Sequence, residues 1–195
     1  EWPDIIPILP EIIVTVAALL VLLVEPFLKM DKTAVIAIAL VGVLASAVVA
    51  IALGGQVRSA FSGMIVLNTY AVFFKVLFAA VAFITILMSP RYLEAGKRHL
   101  GEYYALLLFA LIGMDLLAAA RDFVAFYVAL ELMAISSYLL AGFFRYRIKS
   151  NESALKYFVT GTFASAFTLF GVSIIYGLTG STNYENINFA LAGAG

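Results

Sequence analysis

Residues 121–149 read RDFVAFYVALELMAISSYLLAGFFRYRIK, an apolar stretch interrupted near its middle by one carboxylate, Glu131. The run 123–144 has 22 residues, enough for a helix that crosses about 30 Å of hydrocarbon at about 1.5 Å per residue. Glu131 would then lie near mid-bilayer, where an acidic residue costs roughly 2.5 to 3.5 kcal/mol and needs a partner, water or a proton. We therefore interpret Glu131 as functional; the alternative is a protonated carboxyl that only supports helix packing.

The composition is that of an integral membrane protein. Of the 195 residues, 64% are hydrophobic and 12% are charged, whereas about a quarter of the residues in a soluble domain are charged. The formal net charge is zero, so no basic surface indicates nucleic-acid binding. The sequence has no cysteine, and its one histidine, His99, lies in a loop-like run. These counts argue against iron–sulfur clusters, disulfides, haem, zinc or any other metal site in this chain.

Apolar segments of membrane-spanning length recur along the chain, each bounded by charge, glycine or proline. We predict six spanning helices, at residues 5–28, 33–53, 65–89, 102–120, 123–144 and 154–178. No polar stretch between them is long enough to build a soluble domain, so we expect one all-α transmembrane domain over residues 1–195. The last residues, ALAGAG, lack a stop signal, and we expect the sequence to be incomplete at its C-terminal end.

The basic residues predict the orientation. The loops after the second and fourth segments hold only Arg58 and Arg121. The loops after the first, third and fifth, with the start of the sixth, hold the others: Lys29, Lys32, Arg91, Lys97, Arg98, Arg145, Arg147, Lys149 and Lys156. Because cytoplasmic loops are enriched in Lys and Arg, the N-terminus is predicted to lie outside.

Further charges fall within or at the edges of these segments. Lys75 lies about ten residues inside the third segment, too deep to reach an interface easily. We expect it to face the bundle interior or a wet cavity; the alternative is a structural lysine bonded to backbone carbonyls. Glu11 is expected to be a first-turn acid favoured by the helix dipole. Asp115, about five residues from the outer end of its segment, is expected to meet outside water, with pairing to Lys75 as the alternative. Lys156, in the first turn or two of the last segment, could simply extend to the cytoplasmic interface.

Several motifs carry a family resemblance. ALELMAISSYLLAGF at 129–143, SNESALKYF at 150–158 and GTFASAFTLFGVSIIYGLTGST at 161–182 closely resemble the antiporter-like membrane-arm subunit N of proton-pumping NADH:quinone oxidoreductase, respiratory complex I. LPEI at 9–12, FFKVLF at 73–78 and EYYALLLFALIGM at 102–114 extend the likeness over nearly the whole chain. The ALE and ALKYF motifs are shared with subunits of multisubunit sodium/proton antiporters and membrane-bound hydrogenases, whereas SNE and SAFTLFG favour subunit N.

The resemblance implies a larger fold of about fourteen helices in two inverted repeats, of which this chain would be three leading helices and half of the first repeat. It also implies that Glu131 is the family's helix-five glutamate and that Lys156 is the helix-six lysine of subunit N. Two positions depart from the family pattern: Asn68 stands where an acid is common, and Asp115 where an apolar residue is usual. No proton-entry role is carried over to these two positions.

The hypothesis is therefore a proton-translocating membrane subunit of complex I, with Glu131, Lys156 and Lys75 as relay sites linked by water. A cation near Glu131 favours its ionised form, and moving that cation away favours proton uptake. The resemblance implies that NAD, FMN, iron–sulfur clusters and quinone belong to partner subunits, that other membrane-arm subunits and lipid surround this chain, and that the membrane is a bacterial or archaeal cytoplasmic membrane. The alternatives are a subunit of a sodium/proton antiporter or membrane-bound hydrogenase, and a structural helical anchor.

Overall fold

The computed structural model describes residues 5–28, 32–94 and 100–193, and these are mostly helical. A short 3₁₀ turn, Ile6–Ile8, precedes the first long helix. The remaining elements, in chain order, are α1 Leu9–Leu28, α2 Lys32–Leu53, β1 Arg58–Ala60, β2 Ile65–Leu67, α3 Thr69–Glu94, α4 Leu100–Ala119, α5 Phe123–Ala141, α6 Ile148–Thr179 and α7 Tyr184–Ala192.

Six of these helices, α1 to α6, are long and apolar enough to cross a membrane. Both the predicted all-α class and the predicted count of six spans are confirmed. The chain is a multi-pass membrane protein. That residues 1–195 form one domain stays a prediction.

Helices α1 to α4 form a tight bundle around a shared apolar core. Small side chains let the backbones approach: Gly42 of α2 lies against the Ala17 side chain of α1, leaving no room for a Cβ atom. Ala39 and Ala82 are likewise buried in this core. Since lipid is as apolar as the core, close van der Waals packing of small residues, rather than a hydrophobic driving force, holds such helices together.

Helices α5 and α6 extend the bundle on one side. At the α4–α5 contact, a Cβ atom on Gly113 would lie 2.6 Å from the backbone N of Met133 and 2.9 Å from the carbonyl O of Ala129. Helix α6 packs chiefly on α5, and much of its apolar surface is open. For example, the Phe167 side chain is 74% exposed. Lipid or other protein is needed to cover that surface.

The third span begins later than expected. Residues 65–67, predicted to open the helix, form strand β2, which pairs antiparallel with β1 in a hairpin. Helix α3 begins only at Thr69, where Asn68 acts as its cap: the Asn68 side-chain oxygen accepts from the backbone N–H of Ala71 at 2.9 Å. Lys75 was expected about ten residues inside the third segment, but it follows the start of α3 by only about six residues, or about 9 Å.

The fifth and sixth helices also have different bounds from those predicted. Helix α5 ends at Ala141, before Gly142, and α6 begins at Ile148 instead of 154. The start of α6 is tied to the end of α5, since the Ser150 hydroxyl donates to the carbonyl O of Ala141, the last residue of α5, at 2.9 Å. Hydropathy marks where a segment enters lipid, whereas hydrogen bonds set where the helix begins.

One end of the bundle is tied together by backbone pairing between distant segments. The Arg121 N–H donates to the carbonyl O of Met64 in the hairpin at 2.8 Å, and the Arg121 carbonyl accepts from the Tyr184 N–H at 3.0 Å. Asp122 caps α5, accepting from the Val124 N–H, and its second oxygen accepts from the Thr182 hydroxyl, each at 2.7 Å. The starts of α3, α5 and α7 are thereby fixed on the same side.

Candidate functional site

Glu131 lies near the middle of α5, on the face that meets α6. Its carboxylate is half-buried and accepts a hydrogen bond from the Ser165 hydroxyl of α6. The Ser165 oxygen lies 2.9 Å from the Tyr127 hydroxyl, one turn before Glu131 on α5. Because the Ser165 proton is used on the carboxylate, Tyr127 donates to Ser165. The three groups form a hydroxyl chain, Tyr127 to Ser165 to Glu131, across the α5–α6 joint.

A glycine makes this joint possible. Any Cβ atom at Gly161, one turn before Ser165 on α6, would collide with the phenol of Tyr138 on α5. Gly161 and Ser165 are small residues one helical turn apart, a spacing that allows close helix approach, and Gly161 lies at such an approach. The hydrogen bond from Ser165 to Glu131 was not anticipated; the only signal was that Ser165 shares a spacing with Gly161.

Lys156 does not contact Glu131 among the described residues. It lies nine residues before Ser165, or about 13 Å along α6, and its side chain is 73% exposed. Its ammonium pairs with Glu152 at 2.5 Å, one turn earlier on the same helix. The sequence predicted Lys156 in the first or second turn of this helix. Because α6 begins at Ile148, Lys156 lies in the third turn instead.

Lys75 belongs to a different, fully buried cluster. The Lys75 side chain is 1% exposed, and its Nζ lies 2.5 Å from Oε1 of Glu11, 5% exposed, on α1. Asp115 of α4 is also 1% exposed and lies within electrostatic reach of both groups. One oxygen on each acid, Oε2 of Glu11 and Oδ1 of Asp115, has no hydrogen-bond partner among the described residues. The cluster therefore holds two carboxyl groups and one ammonium away from solvent.

This cluster changes three sequence interpretations. Lys75 faces the bundle interior as predicted, but it pairs with a carboxylate and not with backbone carbonyls alone. Glu11 does lie in the first turn of α1, yet it is a buried ion-pair partner and not merely a dipole-favoured acid. Asp115 does not meet outside water, because its side chain is buried. The missed signal was that each buried charge requires an opposite charge within a few ångströms.

The structure thus does not bring the three predicted site residues together. Glu131, Lys156 and Lys75 take part in separate groups, and within residues 5–28, 32–94 and 100–193 the two side-chain ion pairs are Lys75–Glu11 and Lys156–Glu152. Helix α4 separates the Lys75 cluster from α5. Asp115 stands about 200° around α4 from Gly113, the residue that meets α5.

The chain has clear relatives. Residues 120–194 match the family described as NADH:quinone oxidoreductase/Mrp antiporter, TM. NADH-quinone oxidoreductase subunit N of Trichlorobacter lovleyi is 40% identical over 181 residues, covering 92% of this chain and 37% of the relative. Subunit N 2 of Rhizobium meliloti is 41% identical over 185 residues, covering 94% and 39%. The resemblance to subunit N is confirmed, and the chain spans about two fifths of the length of these relatives.

Solved structures agree. A chain of respiratory complex I from Thermus thermophilus is 28% identical, with a TM-score of 0.75 over 90% of this chain and 38% of that chain. A chain of the membrane-bound sulfane sulfur reductase, an archaeal respiratory membrane complex, has a TM-score of 0.77 at 22% identity, covering 93% and 39%. The second match shows only a shared fold.

Proposed function

We propose, from the premise that this chain is a relative of subunit N of NADH-quinone oxidoreductases, that it is part of a proton-translocating membrane subunit of complex I. In this proposal Glu131 binds and releases a transported proton, Lys156 and Lys75 are further relay residues, and quinone reduction takes place in partner subunits. NAD, FMN, iron–sulfur clusters and quinone are assigned to those partners. The absence of cysteine from the sequence supports this division.

The observation that carries the proposal is the hydroxyl chain ending on Glu131 in the middle of a membrane-spanning helix. An intramembrane carboxylate is costly and marks a proton or ion path by default. A hydroxyl both donates and accepts, so Tyr127 and Ser165 can pass a proton to or from Glu131 by turning in place.

In this proposal Lys156 is connected to Glu131 through water and not by direct contact. Its axial separation of about 13 Å from Ser165 exceeds the reach of a lysine side chain, so water has to bridge it to Glu131. Its partner Glu152 is exposed and can compete for the ammonium. A shift of Lys156 away from Glu152 and toward Glu131 would favour the ionised carboxylate.

The description of the matching family also names Mrp antiporters, which leaves a sodium/proton antiporter as the second candidate. Relatives at about 40% identity carry the name NADH-quinone oxidoreductase subunit N, and this favours the complex I assignment. Copurification of the full-length protein separates the two, since only one assembly contains NADH-oxidising subunits.

The test of Glu131 is proton uptake per NADH oxidised in vesicles that carry the full-length protein in its intact complex. We expect Glu131→Gln to lower coupled turnover or pumping several-fold at equal assembly, and Ser165→Ala to lower it less. Ser173→Ala is the matched control, because the Ser173 hydroxyl bonds only a backbone carbonyl of its own helix. Unchanged assembly, turnover and stoichiometry in Glu131→Gln would leave Glu131 with a packing role, as in a structural anchor.

We also propose that the chain lies in a bacterial or archaeal cytoplasmic membrane with its N-terminus outside. The support is the distribution of basic residues, of which Lys29, Lys97 and Arg98 lie outside the described residues. Because the sequence has no cysteine, single substitutions can report sidedness. An impermeant thiol reagent added to whole cells should label Ser62→Cys in the hairpin turn, and Asn151→Cys at the start of α6 only after permeabilisation. The reverse pattern would invert the orientation.

A further inference from the structure

The cluster of Glu11, Lys75 and Asp115 is closed on both sides by apolar layers. One helical turn outward on the same faces lie Ala71 of α3 and Ala119 of α4, both buried in an apolar cluster with Leu67 of the hairpin. One turn inward lie Ala79 and Leu111, with Val14 of α1, all buried in the bundle core: Val14 0%, Ala79 4% and Leu111 0% exposed. Solvent therefore does not screen the cluster, and its charges have to balance internally.

Counting charges shows that full ionisation is not balanced. Two carboxylates and one ammonium would leave one net negative charge in a buried site, and an uncompensated buried charge costs several kcal/mol. One additional proton makes the cluster neutral. The charged groups that act on Asp115 are Glu11 and Lys75, so the proton has two possible holders, the two acids.

The hydrogen bonds indicate which acid holds it. Lys75 donates to Glu11 at 2.5 Å, so Glu11 is the ionised partner. Each acid keeps one buried oxygen without a partner, but Glu11 holds the ammonium on its other oxygen, whereas Asp115 forms no ion pair among the described residues. A buried carboxylate with no cation on it is the costlier of the two to keep ionised, so the proton is assigned to Asp115. Lysine is a flexible point charge with three rotatable donors, so it can turn from one carboxylate to another.

We propose that Glu11, Lys75 and Asp115 form a buried one-proton switch, in which Lys75 pairs with one carboxylate while the other carboxyl group holds a proton. In the observed arrangement Lys75 pairs with Glu11, and Asp115 is protonated. In the alternative arrangement the Asp115 O–H bond breaks, the proton forms an O–H bond on Glu11, and the ammonium moves to Asp115. The total charge is unchanged, so the exchange adds no net charge to the site.

This switch concerns proton binding and is independent of whether the chain translocates protons. Its test is therefore the infrared absorption of protonated carboxyl groups, measured on the full-length protein in its assembled complex. Aspartate labelled with ¹³C at the side-chain carboxyl distinguishes aspartic from glutamic acid bands. At neutral pH we expect one label-sensitive band from a protonated aspartic acid, and we expect Asp115→Asn to remove it. The matched control is Asp122→Asn, since Asp122 is also buried but accepts two hydrogen bonds; it should leave the band in place.

The decisive variant is Glu11→Gln, which leaves Asp115 intact. With Glu11 neutral, Lys75 turns to Asp115, so the aspartic acid band should disappear although no aspartate was changed. A band that persists in Glu11→Gln would show an isolated protonated aspartate and overturn the switch. So would the absence of any label-sensitive band from the unmodified protein. Where Glu11→Gln does not assemble, Lys75→Met decides: a new glutamic acid band beside the retained aspartic acid band supports the switch, and an unchanged spectrum refutes it.

Discussion

Removing the ammonium of Lys75 should destabilise the protein by about 4 kcal/mol, and this follows from its burial. In Lys75→Met the Glu11 carboxylate, 5% exposed, loses its partner. Breaking a buried ion pair by removing one partner costs about 3–5 kcal/mol, and the middle of that range is the expected value.

Two further variants test whether the unpaired charge causes this loss of stability. Glu11→Gln should lower the stability by less than roughly half of the loss expected for Lys75→Met, because Asp115 remains as a carboxylate for Lys75. The double variant Glu11→Gln with Lys75→Met should recover much of the loss, since it leaves no unpaired charge on Glu11. Lys156→Met is the matched control: that ion pair is exposed and spans one helical turn, so it should contribute no more than about 0.5 kcal/mol.

The assay measures the unfolding of the full-length protein in detergent at pH 7, induced by heating or by added denaturant. Equal destabilisation in Lys75→Met and in the double variant would refute the reasoning, because it would show that the lost packing of the lysine stem, and not the unpaired charge, sets the cost. An unchanged midpoint in Lys75→Met would refute the claim that the pair is isolated from solvent.

Two other predictions concern packing and capping. Gly161→Ala should loosen the α5–α6 joint by about 1–3 kcal/mol, because the new methyl group would collide with the Tyr138 phenol. Gly171→Ala on the same helix meets nothing within 4 Å and should be neutral or slightly stabilising in the same melting assay. Asp122→Ala should cost about 1–2 kcal/mol through the lost cap of α5 and the lost bond from Thr182. Asp122→Asn should retain most of that stability, and an equal loss in both variants would contradict the capping role.

Much of the architecture could be predicted from local sequence. The six spans follow from runs of apolar residues, and Glu131 was recognised because a single carboxylate interrupts such a run. Helix ends were less predictable. The side chain of Asn68 caps the start of α3, and the Ser150 hydroxyl bonds the last carbonyl of α5; hydropathy does not describe either hydrogen bond.

The partners of the buried charges were the least predictable feature. Glu11 and Lys75 are 64 residues apart in the chain, and each was interpreted separately, as a first-turn acid and as a lone interior lysine. Ser165 was assigned to packing, although its hydroxyl also binds Glu131. Each assignment fits its own helix, and each is incomplete because the partner lies on another helix.

The sequence by itself determined that the described part of this chain has six helices long and apolar enough to cross a membrane, and that one of them carries a carboxylate near its middle. Both properties depend on the order of residues within one helix. Only the tertiary structure decided that Glu131 meets Ser165, that Lys75 pairs with Glu11, and that Lys156 stays apart. The physical reason is that a helix in lipid is apolar on every side. Its hydropathy therefore does not reveal which face meets a neighbour, and the close packing of small residues makes that choice.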